Sequence, residues 1–262
     1  MGAEPGGLPL LLSVALTLAG VLLAVAALLL APSLLIRGLL APLNPAVVFC
    51  GPGRQKRLAL SIDDGPSGPG SQALLELLEQ LAVPATFFLI GSHLERDPAF
   101  PRLALEQGHD LGNHLWRDAC AAKLAEGPFW HELQATERLI ERAAAPESLS
   151  WRWFRPGQGW FHGAMLQRLA SRRYQLVLGS IFPWDTFRPP LGFVRWFVRI
   201  NAHPGGILVL HDTPALNSRT RESLSWIVPE LRRRGYRFVP LAELLDPAPA
   251  ASSAAASRAS GR

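Results

Sequence analysis

Residues 58–66 read LALSIDDGP, an alternating run followed by two adjacent acids and a Gly-Pro pair. The run from Leu58 to Ile62 predicts a β-strand that ends at two adjacent acids, Asp63 and Asp64. The Asp-Gly-Pro that follows is typical of a turn, because Asp and Gly accept turn geometries and Pro cannot continue a strand ladder. A turn alone would account for the two acids, so the other strand ends must show whether they also carry chemistry.

The N-terminal region is almost wholly apolar. No charged residue lies between Pro5 and Ile36, and a run of this length can span a bilayer. We predict a lead over 1–7 and a transmembrane helix or uncleaved signal anchor over 8–31. A cleaved signal peptide is the less favoured alternative, because a positive n-region is missing and the apolar run is too long for an h-region.

The rest of the chain divides by composition. Residues 32–57 contain Pro and then basic residues and are predicted to be a linker, and residues 247–262 are an Ala/Ser/Pro tail predicted to be disordered. The folded domain is therefore predicted over 58–246.

Within this domain, short apolar runs alternate with longer amphipathic ones. The predicted strands are 58–62, 85–90, 109–112, 151–154, 174–178, 207–210 and 236–239. The predicted helices are 70–81, 98–107, 129–143, 162–171, 191–201 and 217–234. Strands separated by helices predict βαβ units on a parallel sheet, and the number of repeats favours an α/β fold of the (β/α) barrel type over an open sheet.

Polar side chains stand at the ends of successive predicted strands. In a barrel of this kind, these ends meet at one face, where catalytic residues gather. One His and two carboxylates can form a three-point site for a divalent metal that keeps positions open for water and substrate. A second acid could then accept a proton from water and a second His could protonate the leaving atom, which is metal-assisted hydrolysis. The residues concerned are Asp63, Asp64, His114, Asp118, Arg155, Asp185 and His211.

Four ordered motifs carry a resemblance to a known family. SIDDGP (61–66) resembles the TFDDGP motif of the polysaccharide deacetylases of the NodB-homology type, carbohydrate esterase family 4. GNHLWRD (112–118), FRPGQG (154–159) and LVLHD (208–212) resemble the later motifs of that family in the same order. The resemblance implies a distorted (β/α) barrel of about seven strands that removes N-acetyl groups from amino-sugar polymers such as chitin-like or peptidoglycan chains.

The resemblance also implies roles for individual residues. Asp63 would be the general base, Asp64 and His114 would bind a divalent metal, Arg155 would orient Asp63, and His211 would be the general acid. Zinc is the expected metal.

Three further residues are expected to contact substrate. Leu210 would line the pocket for the acetyl methyl group, and the backbone N–H of Gln158 would polarise the acetyl oxygen although the family usually has an aromatic residue at that position. Trp160 could stack on a sugar ring, and half-buried packing is an equal alternative for it.

Besides Gln158, two positions depart from the family pattern. Asp118 stands where a second His is usual and lies four residues after His114, so a helical turn would put both side chains on one face. As a third ligand, a carboxylate makes the site harder and more anionic, so manganese, cobalt or magnesium could replace zinc. Asp185 is a loose match to the acid that tunes the catalytic His, because Trp184 precedes it rather than follows it.

The remaining features of the sequence are interpreted as structural rather than functional. The arginines between 219 and 237 are interpreted as a solvated helix face, because no aromatic residues are interleaved as in a single-strand binding platform, so we predict no nucleic-acid partner. Two cysteines form neither a CxxC pair nor a disulfide framework. Structural roles are also assigned to Asp110 and to His93, His109, His131, His162 and His203.

The sequence therefore favours a single-pass, membrane-anchored, metal-dependent deacetylase of an N-acetylated glycan. The alternatives are a catalytically weak glycan-binding or scaffolding protein on the same barrel and an O-acetyl esterase. Basic residues after the apolar run place the domain in the cytoplasm by the positive-inside rule, whereas the implied substrate lies outside. Because Arg is frequent throughout the chain, we favour the extracytoplasmic side.

Overall fold

A computed structural model describes residues 7–144 and 152–246. The strands are β1 (Val47–Val48), β2 (Arg57–Asp63), β3 (Ala85–Leu89), β4 (Asp110–Asn113), β5 (Arg152–Phe154), β6 (Tyr174–Val177), β7 (Gly206–His211) and β8 (Arg237–Phe238). The helices are α1 (Gly7–Leu30), α2 (Pro32–Leu35), α3 (Ala41–Leu43), α4 (Pro69–Gln80), α5 (Gly91–Leu94), α6 (Phe100–Glu106), α7 (Glu126–Ala143), α8 (Gly163–Ser171), α9 (Leu191–Asn201), α10 (Asn217–Arg233) and α11 (Leu241–Leu245). A π-helical turn over Ile36–Leu40 joins α2 to α3.

The strands form one parallel sheet with helices in the connections. Seven strands follow the order β1-β6-β5-β4-β3-β2-β7, and β8 pairs with β2 beside them. The chain that leaves β6 bridges to β7, with Ile181 paired to Leu208, so the two ends of the sheet approach each other. The prediction of a distorted (β/α) barrel of about seven strands is confirmed.

The residues of each strand alternate between two packing layers. On β2, Leu58, Leu60 and Ile62 belong to the cluster that packs under the helices. Ala59 faces the other way and packs in a second cluster inside the curled sheet. Because the side-chain period of a strand is two, Asp63 faces the same interior as Ala59.

The predicted linker over 32–57 is corrected by the structure. It contains α2, α3 and β1, and Ile36, Val47 and Phe49 from this region are buried in the domain. The ordered domain therefore begins before residue 58. The sequence prediction failed here because a strand of two residues and helices of three and four residues are too short to show a period of their own.

The predicted strands and longer helices are all found, with small shifts at their ends. The predicted tail over 247–262, most of the predicted lead and the first residue of the predicted strand 151–154 lie outside the described residues. The short helices α5 and α11 were not predicted.

Among the described residues, one helix is long and apolar enough to cross a membrane. The candidate span is Leu12–Leu30 within α1, and none of it is buried against the rest of the chain. A signal sequence near the N-terminus would satisfy the same test of length and composition.

Replacement of Phe87 by Ala tests the core. Phe87 is fully buried on β3 and packs edge-to-face with Phe100 at a centroid separation of 5.3 Å. Phe87→Ala should lower the free energy of unfolding by about 3–5 kcal/mol. The change is measurable by urea titration of the full chain in a mild detergent, followed by near-ultraviolet circular dichroism. Leu103→Ala, at a residue that is 41% exposed, is the control and should shift stability by at most about 0.5 kcal/mol; equal losses in both variants would contradict this packing.

Candidate active site

The carboxyl ends of the parallel strands bring the predicted site residues together. Asp63 ends β2 and His211 ends β7, and the two are partners in the strand register. His114 directly follows β4 and Arg155 directly follows β5. Residues from four strands therefore meet at one edge of the sheet, as expected for a barrel.

Arg155 holds Asp63 in a buried ion pair. Its Nη1 lies 2.5 Å from Asp63 Oδ1 and 2.8 Å from Ser61 Oγ, and its Nε donates to the Val177 carbonyl at 3.0 Å. The guanidinium also lies over the Phe88 ring, 4.0 Å from its centroid. One Asp63 oxygen is therefore occupied by Arg155, and the carboxylate has a fixed orientation.

Asp64 and His114 form the pair best suited to bind a metal ion. His114 Nδ1 lies 2.7 Å from the Arg155 carbonyl, which can only accept, so Nδ1 carries the hydrogen and Nε2 is left to bind a cation. Nε2 lies 3.5 Å from Asp64 Oδ1. Two ligands at about 2.1 Å from a tetrahedral ion are about 3.4 Å apart, so this separation fits a shared metal.

The charges around this pair are mutually supporting. Burial opposes ionisation of Asp64, but the contact with His114 and the positive charges of His114, His211 and His93 outweigh it and lower the pKa of Asp64. Burial likewise opposes protonation of His114, but the carboxylates of Asp64 and Asp63 outweigh it and raise its pKa. A cation bound between Asp64 and His114 would supply the positive charge that the protonated His114 otherwise provides.

Asp118 does not complete the pair in this structure. The chain does not turn helically after His114, because Leu115 has a left-handed backbone (φ 66°) and its N–H donates to the Asn113 side chain, and Asp118 is exposed in the following bend. Within the described parts of the chain, no three His, Cys, Asp or Glu side chains are grouped closely enough to hold a metal ion. The bend nevertheless lies against the third motif, because a Cβ on Gly157 would be 2.2 Å from the Ala119 carbonyl oxygen.

His211 and Asp185 form the second charge pair of the site. The Asp185 carboxylate accepts from the His211 backbone N–H at 2.9 Å and lies 3.0 Å from its Nδ1. Burial disfavours the imidazolium, but the hydrogen bond and charge of Asp185, with the charges of Asp63 and Asp64, raise the pKa of His211 to about 9. Nδ1 is held by the carboxylate, so Nε2 carries the proton that can be donated.

The three residues predicted to contact substrate differ in their exposure. Gln158 and Trp160 are exposed, and Gln158 has a left-handed backbone (φ 61°). Leu210 is buried in the cluster under the helices, on the face of β7 opposite to His211. Val209 shares the His211 face, and the two-residue alternation of the strand could have identified it from the sequence.

Two residues outside the predicted set also shape the site. His93 donates from Nδ1 to the Asp64 carbonyl at 2.7 Å, which supports the left-handed backbone of Asp64 (φ 71°). Asp212 is fully buried, its backbone N–H donates to the Asp63 carbonyl at 2.8 Å, and its carboxylate accepts from Ser67 at 2.8 Å and from Ser71. Both interactions join segments distant in sequence, so no local pattern signals them.

Other polar residues have structural partners. His109 Nδ1 accepts from the Ala85 N–H at 3.1 Å, and burial lowers its pKa to about 4. His203 bonds Ser180 at 2.9 Å, and His162 caps the start of α8. These contacts agree with the structural roles assigned to the three histidines from the sequence.

Comparison with known proteins identifies the family. A family model for polysaccharide deacetylases matches residues 51–177. A peptidoglycan-N-acetylglucosamine deacetylase of Bacillus cereus is 33% identical over 196 residues, covering 74% of this chain and 90% of that protein. The chain belongs to the polysaccharide deacetylase family. It is thus placed in a family of hydrolases that is generally metal-dependent.

Two further relatives show the range of this family. A chitooligosaccharide deacetylase of Bradyrhizobium is 31% identical over 71% of this chain and 89% of its own length. The solved structure of BA3943 from Bacillus anthracis, described as a pseudoenzyme of carbohydrate esterase family 4, matches with a TM-score of 0.70 and 27% identity over 77% of this chain and 69% of its own. The family therefore includes deacetylases and a protein described as a pseudoenzyme.

Removal of the Asp185 charge should shift the pH dependence of activity. His211 can donate only while protonated, so activity should fall as pH rises through its pKa. Asp185→Asn removes the charge that raises this pKa, and the alkaline limb of the pH–rate profile should move down by at least about one pH unit. The profile of kcat/KM for acetate release checks this. Glu79→Gln, an exposed change on α4, is the control, and an unmoved alkaline limb in Asp185→Asn would rule out this role.

Proposed function

We propose that the chain is a membrane-anchored, metal-dependent hydrolase that removes N-acetyl groups from an amino-sugar glycan. The observation that carries the proposal is the presence of two charge pairs beside Asp64 and His114. Asp63 is paired with Arg155 in the interior, and Asp185 is paired with the partly buried His211. The base, the acid and two metal-binding side chains are then next to one another. The names of the relatives favour peptidoglycan or chitin-like oligosaccharides as the substrate class.

The residues of the chain can perform both proton transfers of amide hydrolysis. Asp63 accepts a proton from a water molecule as the water oxygen attacks the acetyl carbon. Arg155 keeps the Asp63 carboxylate in place. His211 donates its Nε2 proton to the sugar nitrogen as the carbon–nitrogen bond breaks. Acetic acid and a free amine leave, and the acid then loses its proton to solvent as acetate. The proton held by Asp63 must return to His211 through solvent before the next cycle.

Asp64 and His114 would hold a divalent cation, with Asp118 as the predicted third ligand. Such an ion acts as a Lewis acid that polarises the acetyl oxygen and lowers the pKa of a water molecule. Zinc is the proposed ion. With two carboxylates among the ligands, manganese, cobalt or magnesium remain alternatives.

The acetyl group itself would lie beside β7. We propose Val209 rather than Leu210 as the strand residue that contacts the acetyl methyl group, because Val209 faces the same side of the sheet as His211 and Asp63. The exposed Gln158 backbone and the Trp160 ring, which is 67% exposed, remain proposed contacts for the acetyl oxygen and a sugar ring.

A second candidate function is a catalytically weak glycan-binding protein. The exposure of Asp118 and the likeness to a pseudoenzyme favour it. The retention of the buried pair of Asp63 and Arg155 favours the enzyme, because a buried ion pair that serves no chemistry could be replaced by apolar residues without loss of stability.

Acetate release distinguishes the two functions. The full chain, purified in detergent, should release acetate from chitooligosaccharides or peptidoglycan fragments, lose this activity with a chelator and regain it with zinc or manganese. Asp63→Asn and His211→Gln should each reduce kcat by about 10²- to 10⁴-fold. His131→Gln, at an exposed histidine, is the matched control. If no metal restores acetate release from any acetylated glycan, the binding-protein function is favoured instead.

Metal affinity tests the ligand set without using activity. His114→Ala should weaken zinc binding by at least about tenfold, measured by calorimetry, because it removes a ligand outright. Asp118→Asn should also weaken binding if Asp118 closes onto the ion, whereas Glu79→Gln should not. Binding by Asp118→Asn equal to that of Glu79→Gln would show that Asp118 is not a ligand.

The anchor and the side of the membrane complete the proposal. We propose that α1 spans the bilayer and that the domain lies outside the cytoplasm, since the substrates named for the relatives belong to glycans of the cell envelope or its surroundings.

A further inference from the structure

The exposed apolar side chains of the domain are concentrated around the end of α1. Outside α1, nine large apolar side chains are exposed in the part of the chain that the structure describes, and only Leu103 and Trp160 lie elsewhere. The other seven define a juxtamembrane surface: Leu34, Leu39, Leu40, Leu43, Phe187, Trp196 and Ile200. Four follow α1 directly, and three lie on elements that contact this region.

The end of α1 is joined to the domain by hydrogen bonds. The Trp184 indole N–H donates to the Leu29 carbonyl at 3.0 Å, and the Asn201 amide donates to the Leu30 carbonyl at 2.8 Å. The buried Ser33 hydroxyl donates to Asn201 Oδ1 at 2.8 Å. Carbonyls in the last turn of a helix have no partner within the helix, and leaving them bare in a bilayer is costly. The domain therefore caps α1 directly, without a free linker.

The three domain residues of the juxtamembrane surface lie beside these bonds. Phe187 is 79% exposed, and its ring centroid is 6.3 Å from that of Trp184. Ile200 precedes Asn201, and Trp196 lies one helical turn before Ile200 on the same face of α9. The exposed apolar groups therefore stand next to the point where α1 would leave the membrane.

The charge of this region fits an anionic bilayer. Arg37, Arg188 and Arg199 are exposed on the same elements. Residues 31–44 contain no acid, and the only acid in 184–201 is the buried Asp185. Apolar side chains, Trp at the boundary and exposed Arg together are typical of protein surfaces in the headgroup region.

We propose that the juxtamembrane surface lies in the headgroup region of an anionic bilayer, so that the domain rests on the membrane while docked on the end of α1. The inference depends on the proposed function only in taking α1 as the membrane anchor. Trp184, which caps α1, is followed directly by Asp185, which binds His211. The general acid is therefore held beside the bilayer, and the glycan must present its acetyl group there.

Spin-label accessibility tests this placement in the full chain. In a Cys50→Ser, Cys120→Ser background, a nitroxide is attached to Phe187→Cys, Ile200→Cys or Leu103→Cys, in nanodiscs of phosphatidylethanolamine and phosphatidylglycerol. Oxygen concentrates in lipid and a nickel chelate in water. The ratio of oxygen to nickel collision rates should be several-fold higher at positions 187 and 200 than at 103, an exposed leucine outside the juxtamembrane surface.

Each other outcome counts against the proposal. Equal ratios at all three positions would place the domain in solvent. Trp184→Phe combined with Asn201→Ala removes the bonds to α1 and should lower the ratio at position 187, and an unchanged ratio would contradict docking through these bonds. Failure of the chain to co-isolate with nanodiscs would overturn the anchor and this placement together. Acetate release by the same samples reports on the deacetylase separately.

Discussion

The rest of the structure depends on the contacts of the buried Arg155 guanidinium, above all its ion pair with Asp63. It follows β5, binds Ser61 and Asp63 on β2, donates to the Val177 carbonyl on β6 and lies over Phe88 on β3. A buried charge that loses its partner costs about 3–5 kcal/mol, so these four strands must keep their mutual register. The interior of the sheet is therefore organised around one ion pair rather than filled with apolar side chains alone.

The same residue links the two halves of the site. Its side chain orients the Asp63 carboxylate, and its backbone carbonyl fixes the tautomer of His114, whose free nitrogen faces Asp64. The proposed base, Asp63, and the proposed metal-binding pair, Asp64 and His114, are thus positioned by a single residue. Beyond them, His93 and Asp212 hold the backbone of Asp64 and Asp63 from neighbouring segments. The two adjacent acids can take different roles because each is held by a different set of partners.

The turn that follows Phe182 joins the chemistry to the proposed anchor. Trp184 caps α1 and Asp185 binds His211, so a displacement of α1 relative to the domain would also move the partner of His211, the proposed general acid. A free linker between span and domain, as the composition of residues 32–57 suggested, would not have this effect. The packing of Ile36 and Val47 into the domain removes that freedom.

The sequence by itself determined the elements and most of the site, because strand alternation, helical periodicity and turn chemistry are local. It placed Asp63, Asp64, His114, Arg155 and His211 at strand ends, and the structure brings those residues together. Tertiary structure alone decided the rest. The left-handed backbone of Leu115, set by a bond to Asn113, leaves Asp118 exposed, and the fold turns Leu210 away from the site. The partners of His93, Asp212 and Trp184 lie on distant segments, and contacts between distant segments leave no periodic signal in a single sequence.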